Sequence, residues 1–216
     1  MLLSYKFSSN IPLFKCDICG NCNNFEESTS YTNIKNRGCC WYFPKYNLVD
    51  IKNIINNGNM DFIYYLSSIP NCVESYDIRV KGIFFKKQYN KYTENNIKSS
   101  DFDNSLFFKL CPFLKKHGCK LSFSLRPHPC NLYLCREVLQ LAGKEYTEYS
   151  RERKDYYAYC NYFNECLKED LKCNNATLLD NLEDSLDILN SSTLPPFQPR
   201  KLHNIYIDYS TCNHSA

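Results

Sequence analysis

Two groups of cysteines are the residues of this chain whose type and spacing could do chemistry. The chain contains 14 cysteines in 216 residues, a load that a protein keeps either for disulfides or for a metal. Nine of them fall into two groups, called here the first and second bursts. The first burst consists of Cys16, Cys19, Cys22, Cys39 and Cys40, and the second of Cys111, Cys119, Cys130 and Cys135.

The first burst has the spacing of a thiolate metal site. Cys16, Cys19 and Cys22 form two overlapping Cys-x-x-Cys pairs, and one such pair can supply two ligands to a metal from one tight turn. Gly20 and Asn21 suit the positive φ angles that these turns require. Three closely spaced cysteines with a fourth from elsewhere also hold many iron–sulfur clusters.

The second burst has irregular spacing that matches no zinc ribbon or finger, so its ligands must be assembled by the fold. Within "RPHPC", Pro127 and Pro129 should hold Arg126 and His128 in extended conformations and present Cys130 from a rigid arm. We expect Arg126 and His128 to lie behind the metal ligands and not to bind the metal themselves. His117, in "KKHG", is expected in an exposed turn.

Burial in the core is the alternative reading for every cysteine, because free cysteine is among the most buried residue types. We prefer it for the scattered cysteines, which are Cys72, Cys160, Cys166, Cys173 and Cys212. Core packing gives no reason for the spacing of the nine clustered ones. Cys39 and Cys40 are adjacent and should point to opposite sides of an extended segment, so they can serve different metals.

Composition and charge limit the classes of function. The N-terminal stretch "MLLSYKFSSNIPLFKC" is too broken by polar residues for a secretory signal, and no run is long enough to span a bilayer. We therefore expect a cytosolic protein, in which thiols stay reduced or bind metal. A net charge of +3, from 26 basic and 23 acidic residues, gives no bulk argument for nucleic acid.

A family resemblance adds to this reading. "GCC" at Gly38 to Cys40, then a helix, "CPFL", an isolated cysteine, "RP" two residues before a cysteine and a final cysteine resemble the YkgJ-like cysteine-cluster family. The similarity covers about residues 14–140. The resemblance implies a zinc- or iron-chelating domain and, through the related clusters of flagellin lysine N-methylases, an enzyme that uses S-adenosylmethionine on a protein lysine.

The chain departs from that family in two places. In that family the cysteines of the first burst are closely spaced, whereas here Cys16, Cys19 and Cys22 stand well before Cys39. In addition, Asn131 occupies a position where the family often has arginine. Which of the first-burst cysteines share a metal therefore stays open. No recognisable methyl-donor loop accompanies the resemblance.

Periodicity predicts an α+β, mainly helical fold with short strands in a small cysteine-rich core. Asn47 should cap a helix over "LVDIKNIINN" that stops at Gly58, with Leu48, Ile51, Ile54 and Ile55 on its apolar face. "YDIRVKGIFFKK" and "SLFFKL" read as short strands, and the polar stretch "KQYNKYTENNIKSSDFDN" between them as a loop.

The C-terminal part should be helical. Apolar side chains at three-, four- and seven-residue steps predict one long helix from about Glu145 to Lys172, and a second amphipathic helix over "TLLDNLEDSLDILN". A link then leads to the apolar "IYIDY". We divide the chain into a cysteine-cluster metal-binding domain, 1–140, and a helical C-terminal extension packed on it, 141–216.

These observations predict a metalloprotein in which the two bursts hold one or two metal centres. An iron–sulfur cluster, of the [4Fe-4S] type, is favoured over zinc by the Cys-x-x-Cys-x-x-Cys run and the irregular second burst. Zinc would instead make the chain a structural module that binds a partner protein. Aromatic and basic residues on the long helix do not argue for nucleic acid, since Glu148, Glu152 and Asp155 cancel their charge, and no membrane partner is expected.

Overall fold

The computed structural model describes residues 1–17, 30–34, 42–95, 103–116 and 118–207. The helices of the described residues are α1 (Leu48–Asn56), α2 (Met60–Ser67), α3 (Lys86–Asn95), α4 (His128–Asn131), α5 (Arg136–Ala142), α6 (Tyr146–Cys173) and α7 (Leu182–Ser191). The strands are β1 (Leu2–Ser8), β2 (Ile11–Cys16), β3 (Lys45–Asn47), β4 (Asp77–Arg79), β5 (Ile83–Phe84), β6 (Lys109–Leu110), β7 (Leu114–Lys115), β8 (Gly118–Cys119) and β9 (Ile205–Tyr206). The α+β, mainly helical class is confirmed.

An N-terminal hairpin is the largest antiparallel pairing. Strands β1 and β2 pair from Leu3 opposite Cys16 to Ser8 opposite Ile11. Ser9 and Asn10 form the connection with φ of 51° and 62°, the left-handed conformation that two-residue hairpin turns need. Strand β9 adds to the other edge of β1, so the C-terminal part of the described chain returns to the N-terminus.

Helix α1 forms as the sequence predicts. The Asn47 side chain accepts a hydrogen bond from the Asp50 amide, and the Asp50 carboxylate accepts one from the Asn47 amide, which makes a capping box. Gly58, at φ 72°, follows the end of the helix. The four predicted apolar residues are all buried, so this helix forms the centre of the core.

The segment between β5 and β6 corrects the prediction of a polar loop. Lys86–Asn95 is helix α3, because Tyr89 and Tyr92 lie three residues apart and both pack on Phe108, with ring centroids 5.2 and 5.4 Å away. The predicted strand over "SLFFKL" is a 3₁₀ turn at Asn104–Phe108 followed by the two residues of β6. Aromatic packing outweighs local polarity here.

The C-terminal helices agree with the prediction in α6 and in part in α7. Helix α6 begins and ends within one residue of its predicted limits. The second helix was predicted from Thr177, but α7 begins at Leu182. The Thr177 hydroxyl accepts a hydrogen bond from the Asp180 amide and donates one to the Asp180 carboxylate, and this local turn competes with helix.

One buried cluster joins side chains from the N-terminal hairpin, α1, α6, α7 and β9. Helix α6 packs against both α1 and α7. Its buried Glu152 accepts hydrogen bonds from the hydroxyl of Tyr5 and from the Arg200 amide, at 3.1 Å for the latter. In the described part of the chain, no helix has the length and apolar character to cross a membrane.

Candidate metal centre

Five of the nine predicted ligands lie within the described residues. Cys16 ends β2, Cys111 follows β6, Cys119 lies in β8, Cys130 lies in α4, and Cys135 immediately precedes α5. Cys19, Cys22, Cys39 and Cys40 lie outside the described residues, as does His117. The geometry therefore bears mainly on the second burst.

A tight hairpin positions Cys111 and Cys119. The Leu114 amide donates to the Cys111 carbonyl at 3.0 Å, and Leu114 pairs with Cys119 across the β7–β8 hairpin. The Lys120 amide closes the same turn on the Phe113 carbonyl at 2.8 Å. Seven residues separate the two cysteines in sequence, but Cys111 is hydrogen-bonded to Leu114, the residue that pairs with Cys119.

Tyr46, on β3, lies within electrostatic reach of three second-burst cysteines. Its ring is fully buried, and its hydroxyl donates to the Leu125 carbonyl at 3.0 Å. Burial raises the pKa of this hydroxyl well above its usual range, and the negative charge of four neighbouring side chains raises that pKa further. These neighbours are Cys130, Asp50, Cys119 and Cys111. The fold therefore brings three thiols of the second burst close enough to act on one hydroxyl.

The arm that carries Cys130 differs from the prediction in its second half. Arg126 is extended, as expected, at ψ 143°. His128 is not extended, because it opens helix α4, which also contains Pro129 and Cys130. A proline in the first turn of a helix removes an amide that has no partner within the helix, so Pro129 is compatible with the helical conformation. Cys130 is thus presented from a helical turn.

Asp50 of α1 holds helix α4 in position through hydrogen bonds to His128. Its Oδ1 accepts a hydrogen bond from the His128 amide at 2.8 Å, and both carboxylate oxygens lie 3.1 Å from Nδ1 of the His128 ring. Both side chains are buried, and the imidazole edge packs on the Tyr157 ring, with centroids 4.8 Å apart. A buried carboxylate therefore sets the position of the turn that bears Cys130.

Arg126 and Asn131 shape the loops around the second burst. Nε and Nη2 of Arg126 donate to the Leu121 carbonyl at 2.9 and 2.6 Å. The buried Asn131 amide donates to the Phe123 carbonyl at 2.8 Å. Both residues thus tie the chain that follows Cys119 to the chain around Cys130. The prediction that Arg126 and His128 lie behind the metal ligands, without binding the metal themselves, stays a prediction.

A small polar cavity lies behind α4. The polar side chains of Asp50, Asn53, Arg126, His128 and Tyr156 line it, and it has room for roughly one water molecule. Its size does not suit an organic substrate.

The scattered cysteines behave in two ways. Cys72 and Cys160 are buried as predicted, and burial raises the pKa of the Cys160 thiol, which keeps it protonated and inert. Cys166 and Cys173 are exposed, so the prediction of core burial was wrong for both. Cys166 precedes the buried Leu167 and Cys173 lies two residues after the buried Leu171, but both cysteines are on the solvent side of α6. Cys212 lies outside the described residues.

The predicted ligands are cysteine thiolates, which are ligands of the type that soft metals prefer. Thiolates select zinc, copper(I) and iron–sulfur clusters, and a tetrahedral site needs four of them. Across the described ranges, no group of three or more His, Cys, Asp or Glu side chains is arranged to hold a metal ion. The three thiols near Tyr46 are therefore not arranged around one metal position in this structure, and a centre there would need further ligands.

Sequence patterns could not identify Tyr46 or Asp50 as parts of this site. Tyr46 is one of 18 tyrosines, and nothing in its local sequence points to the second burst. Asp50 carries a local signal as the partner of Asn47 in the capping box, but that signal explains the helix start and not the contact with His128.

Comparison with known proteins assigns the chain to no group: no family model matches it, and neither the curated proteins nor the solved structures contain a match.

Proposed function

We propose that this protein binds a metal centre through thiolates of the second burst, with Cys111, Cys119 and Cys130 as its ligands from the described residues. The observation that supports the proposal is that all three, from separate parts of the chain, lie within electrostatic reach of one buried side chain, Tyr46. Core packing alone would bury thiols wherever space allowed. It would not require three of the four second-burst cysteines to act on one hydroxyl.

The first burst supplies the remaining ligands in this proposal. Nine thiols exceed the four needed for one centre and also the eight needed for two. We favour an iron–sulfur cluster of the [4Fe-4S] type, because Cys16, Cys19 and Cys22 have the spacing that such clusters use. When bound, a cluster of this kind supplies one-electron redox chemistry, whereas zinc would supply a rigid structural centre.

The residues around the thiols have separate tasks. The buried Tyr46 ring separates the site from the core. Its hydroxyl donates a hydrogen bond to the Leu125 carbonyl, so Tyr46 lines the site and does not bind the metal. Asp50 holds α4 in place through His128. The β7–β8 hairpin sets the separation of Cys111 and Cys119. Each of these tasks limits movement of a thiol before any metal binds.

The first experiment measures metal and acid-labile sulfide in protein purified without oxygen, together with its visible spectrum. Equal amounts of iron and sulfide with a brown colour would support the cluster. Zinc without sulfide would support the structural module instead. Protein that contains neither metal after reconstitution with each would contradict the proposal.

Matched cysteine variants then test the assignment of ligands. Cys130→Ser should lose most of the bound metal, because serine is a poor ligand for soft metals. Cys166→Ser, at an exposed position on α6, should keep all of it. Equal metal content in the two variants would remove Cys130 from the ligand set.

Chelation distinguishes a structural centre from an exchangeable store. A structural centre predicts that a strong chelator removes the metal and unfolds the chain together, since the binding free energy is then part of the folding free energy. A storage or delivery function predicts that metal leaves while circular dichroism stays unchanged.

The methylase activity implied by the family resemblance is a separate proposal with its own test. Calorimetry with S-adenosylmethionine on metal-loaded, anaerobic protein should show heat of binding if it applies. Absence of heat would remove this activity and leave the metal proposal intact.

A further inference from the structure

Positive charge is concentrated in residues 79–126, called here the basic segment. It contains 11 lysines and arginines but three aspartates and glutamates. The chain after residue 126 has nine basic and 13 acidic residues. Residues 1–78 are close to neutral, with six basic and seven acidic residues, so the overall charge of +3 conceals two parts with opposite signs.

Several lysines of the basic segment stand without acidic partners. Six are exposed and, among the described residues, have no carboxylate within 4.0 Å: Lys81, Lys86, Lys87, Lys115, Lys116 and Lys120. Arg79 differs, since Asp77 pairs with it at 2.7 Å. Unpaired cations that lie close together repel one another, and a bound polyanion would relieve that repulsion.

An exposed apolar pair lies among these lysines. Ile83 and Phe84 of β5 are 55% and 40% exposed, between Lys81 on one side and Lys86 on the other. Nζ of Lys109 lies 6.0 Å from the centre of the Phe84 ring. The Tyr89 ring packs against the same ring in a tilted arrangement, with centroids 5.3 Å apart and planes at 55°. The surface thus combines several cations with an aromatic ring that is accessible and well supported.

We propose that the basic segment binds single-stranded nucleic acid, with Lys81, Lys86 and Lys87 on phosphates and Phe84 stacking on a base. Lysine clusters neutralise the phosphate backbone, and aromatic rings stack on bases without regard to sequence. An acidic peptide would use the lysines but not the ring. An anionic bilayer would need a larger apolar surface than two side chains.

This inference does not depend on the metal centre. Lys81 precedes β5, and Lys86 and Lys87 lie in the first turn of α3, whereas the proposed ligands are the cysteines near Tyr46. The two proposals can therefore fail separately.

Fluorescence anisotropy of the full chain with a labelled, unstructured RNA of about 20 nucleotides tests the proposal. The variant K81Q/K86Q/K87Q should bind about tenfold or more weakly, and its dependence of log affinity on log salt should be shallower by about two. The matched control K144Q/K154Q/K201Q removes the same charge from exposed lysines outside the basic segment. It should change the affinity less than about twofold.

Substitution of the ring tests the second half of the proposal. Phe84→Ala should lower the affinity about tenfold by removing a stacked base, while Tyr162→Ala, an exposed ring on α6, should leave it unchanged. Circular dichroism checks that each variant folds. Equal weakening by both triple variants, or no binding of RNA or single-stranded DNA at micromolar protein, would overturn the proposal. So would tighter, lysine-dependent binding to phosphatidylserine vesicles or polyglutamate.

Discussion

The basic segment and the C-terminal helices α6 and α7 differ in whether their charged side chains form ion pairs. On α6 three of the five cations have neighbouring acids: Arg151 pairs with Glu148 at 2.6 Å, Lys168 with Glu165 at 3.3 Å, and Lys172 with Glu169 at 2.6 Å. Lys81, Lys86 and Lys87 of the basic segment have no such partner among the described residues. Helix α6 thus pairs most of its cations locally, whereas the basic segment leaves several lysines available to an anionic partner.

The same contrast holds for packing. Helix α6 is 28 residues long, and its buried stripe follows helical periodicity. The second burst instead sits on elements of two to four residues, held by a hairpin, a helical turn and the Asp50 carboxylate. One region is stabilised by its own sequence pattern and the other by contacts distant in sequence. Substitutions should therefore have different kinds of effect in the two regions.

The largest effect is expected in the core beneath α6. Leu171→Ala, at a fully buried position, should lower the free energy of unfolding by about 3 kcal/mol, because it leaves a cavity. Leu179→Ala, at an exposed position just beyond the helix, is the matched control and should cost under about 0.5 kcal/mol. Denaturation in urea measures both. The rate of metal transfer to a chelator under native conditions should be unchanged in Leu171→Ala, since the helix does not carry the site.

An intermediate effect is expected at Asp50, with a different signature. Asp50→Asn keeps the shape but weakens the acceptor of His128, and should cost about 1–3 kcal/mol. Metal transfer to a chelator should also become faster, because α4 and Cys130 are then held less firmly.

Asp61→Asn is the matched control for Asp50. It lies in the first turn of α2 but is exposed, and should change neither stability nor metal transfer appreciably. If Asp50→Asn lowers stability while metal transfer keeps its native rate, Asp50 supports the fold and not the site.

A smaller effect that depends on pH is expected at Tyr149 of α6. Its hydroxyl donates to the His203 carbonyl at 3.0 Å, and burial raises its pKa from 10.0 to about 12. Between these values the unfolded chain loses the proton and the folded chain keeps it, so this contribution is complete below pH 10 and is lost as the pH rises toward 12.

Tyr149→Phe should therefore cost about 1 kcal/mol at neutral pH through the lost hydrogen bond, and the difference from the native chain should shrink above pH 10. Tyr162→Phe, at an exposed position on the same helix, is the control. Urea denaturation at several pH values measures both. A cost that stays constant up to pH 11 would contradict the role of this hydroxyl in alkaline stability.

The sequence predicts the helices better than the short elements, for a physical reason. Helices α1 and α6 carry caps and apolar stripes that act within a few turns, so local patterns suffice. Helix α3 was missed because Tyr89 and Tyr92 gain their partner, Phe108, from a distant segment. The N-terminal hairpin depends on the positive φ angles of Ser9 and Asn10. A Ser–Asn pair is only a weak sequence signal for such a turn.

In the candidate metal site, too, local sequence patterns reveal some features, and contacts between distant segments determine the others. Spacing alone singles out the nine cysteines as a group, but the role of Tyr46 and the clamp between Asp50 and His128 arise from tertiary packing. Local sequence carries no trace of either contact. The charge of the basic segment, in contrast, can be counted directly in the sequence once the chain is divided into parts.

The smallest expected effects compare one lysine from each region and should have opposite signs. Lys172→Gln removes a cation that pairs with Glu169 in the last turn of α6, where the helix dipole also favours positive charge. Stability should fall slightly, and the difference should vanish in high salt. Lys87→Gln removes an unpaired cation from the first turn of α3, where the dipole disfavours it, so stability should rise slightly. Thermal denaturation at low salt measures both changes. A lysine that destabilises its own helix is consistent with a surface kept for an anionic partner, and a decrease in stability for Lys87→Gln would remove that support.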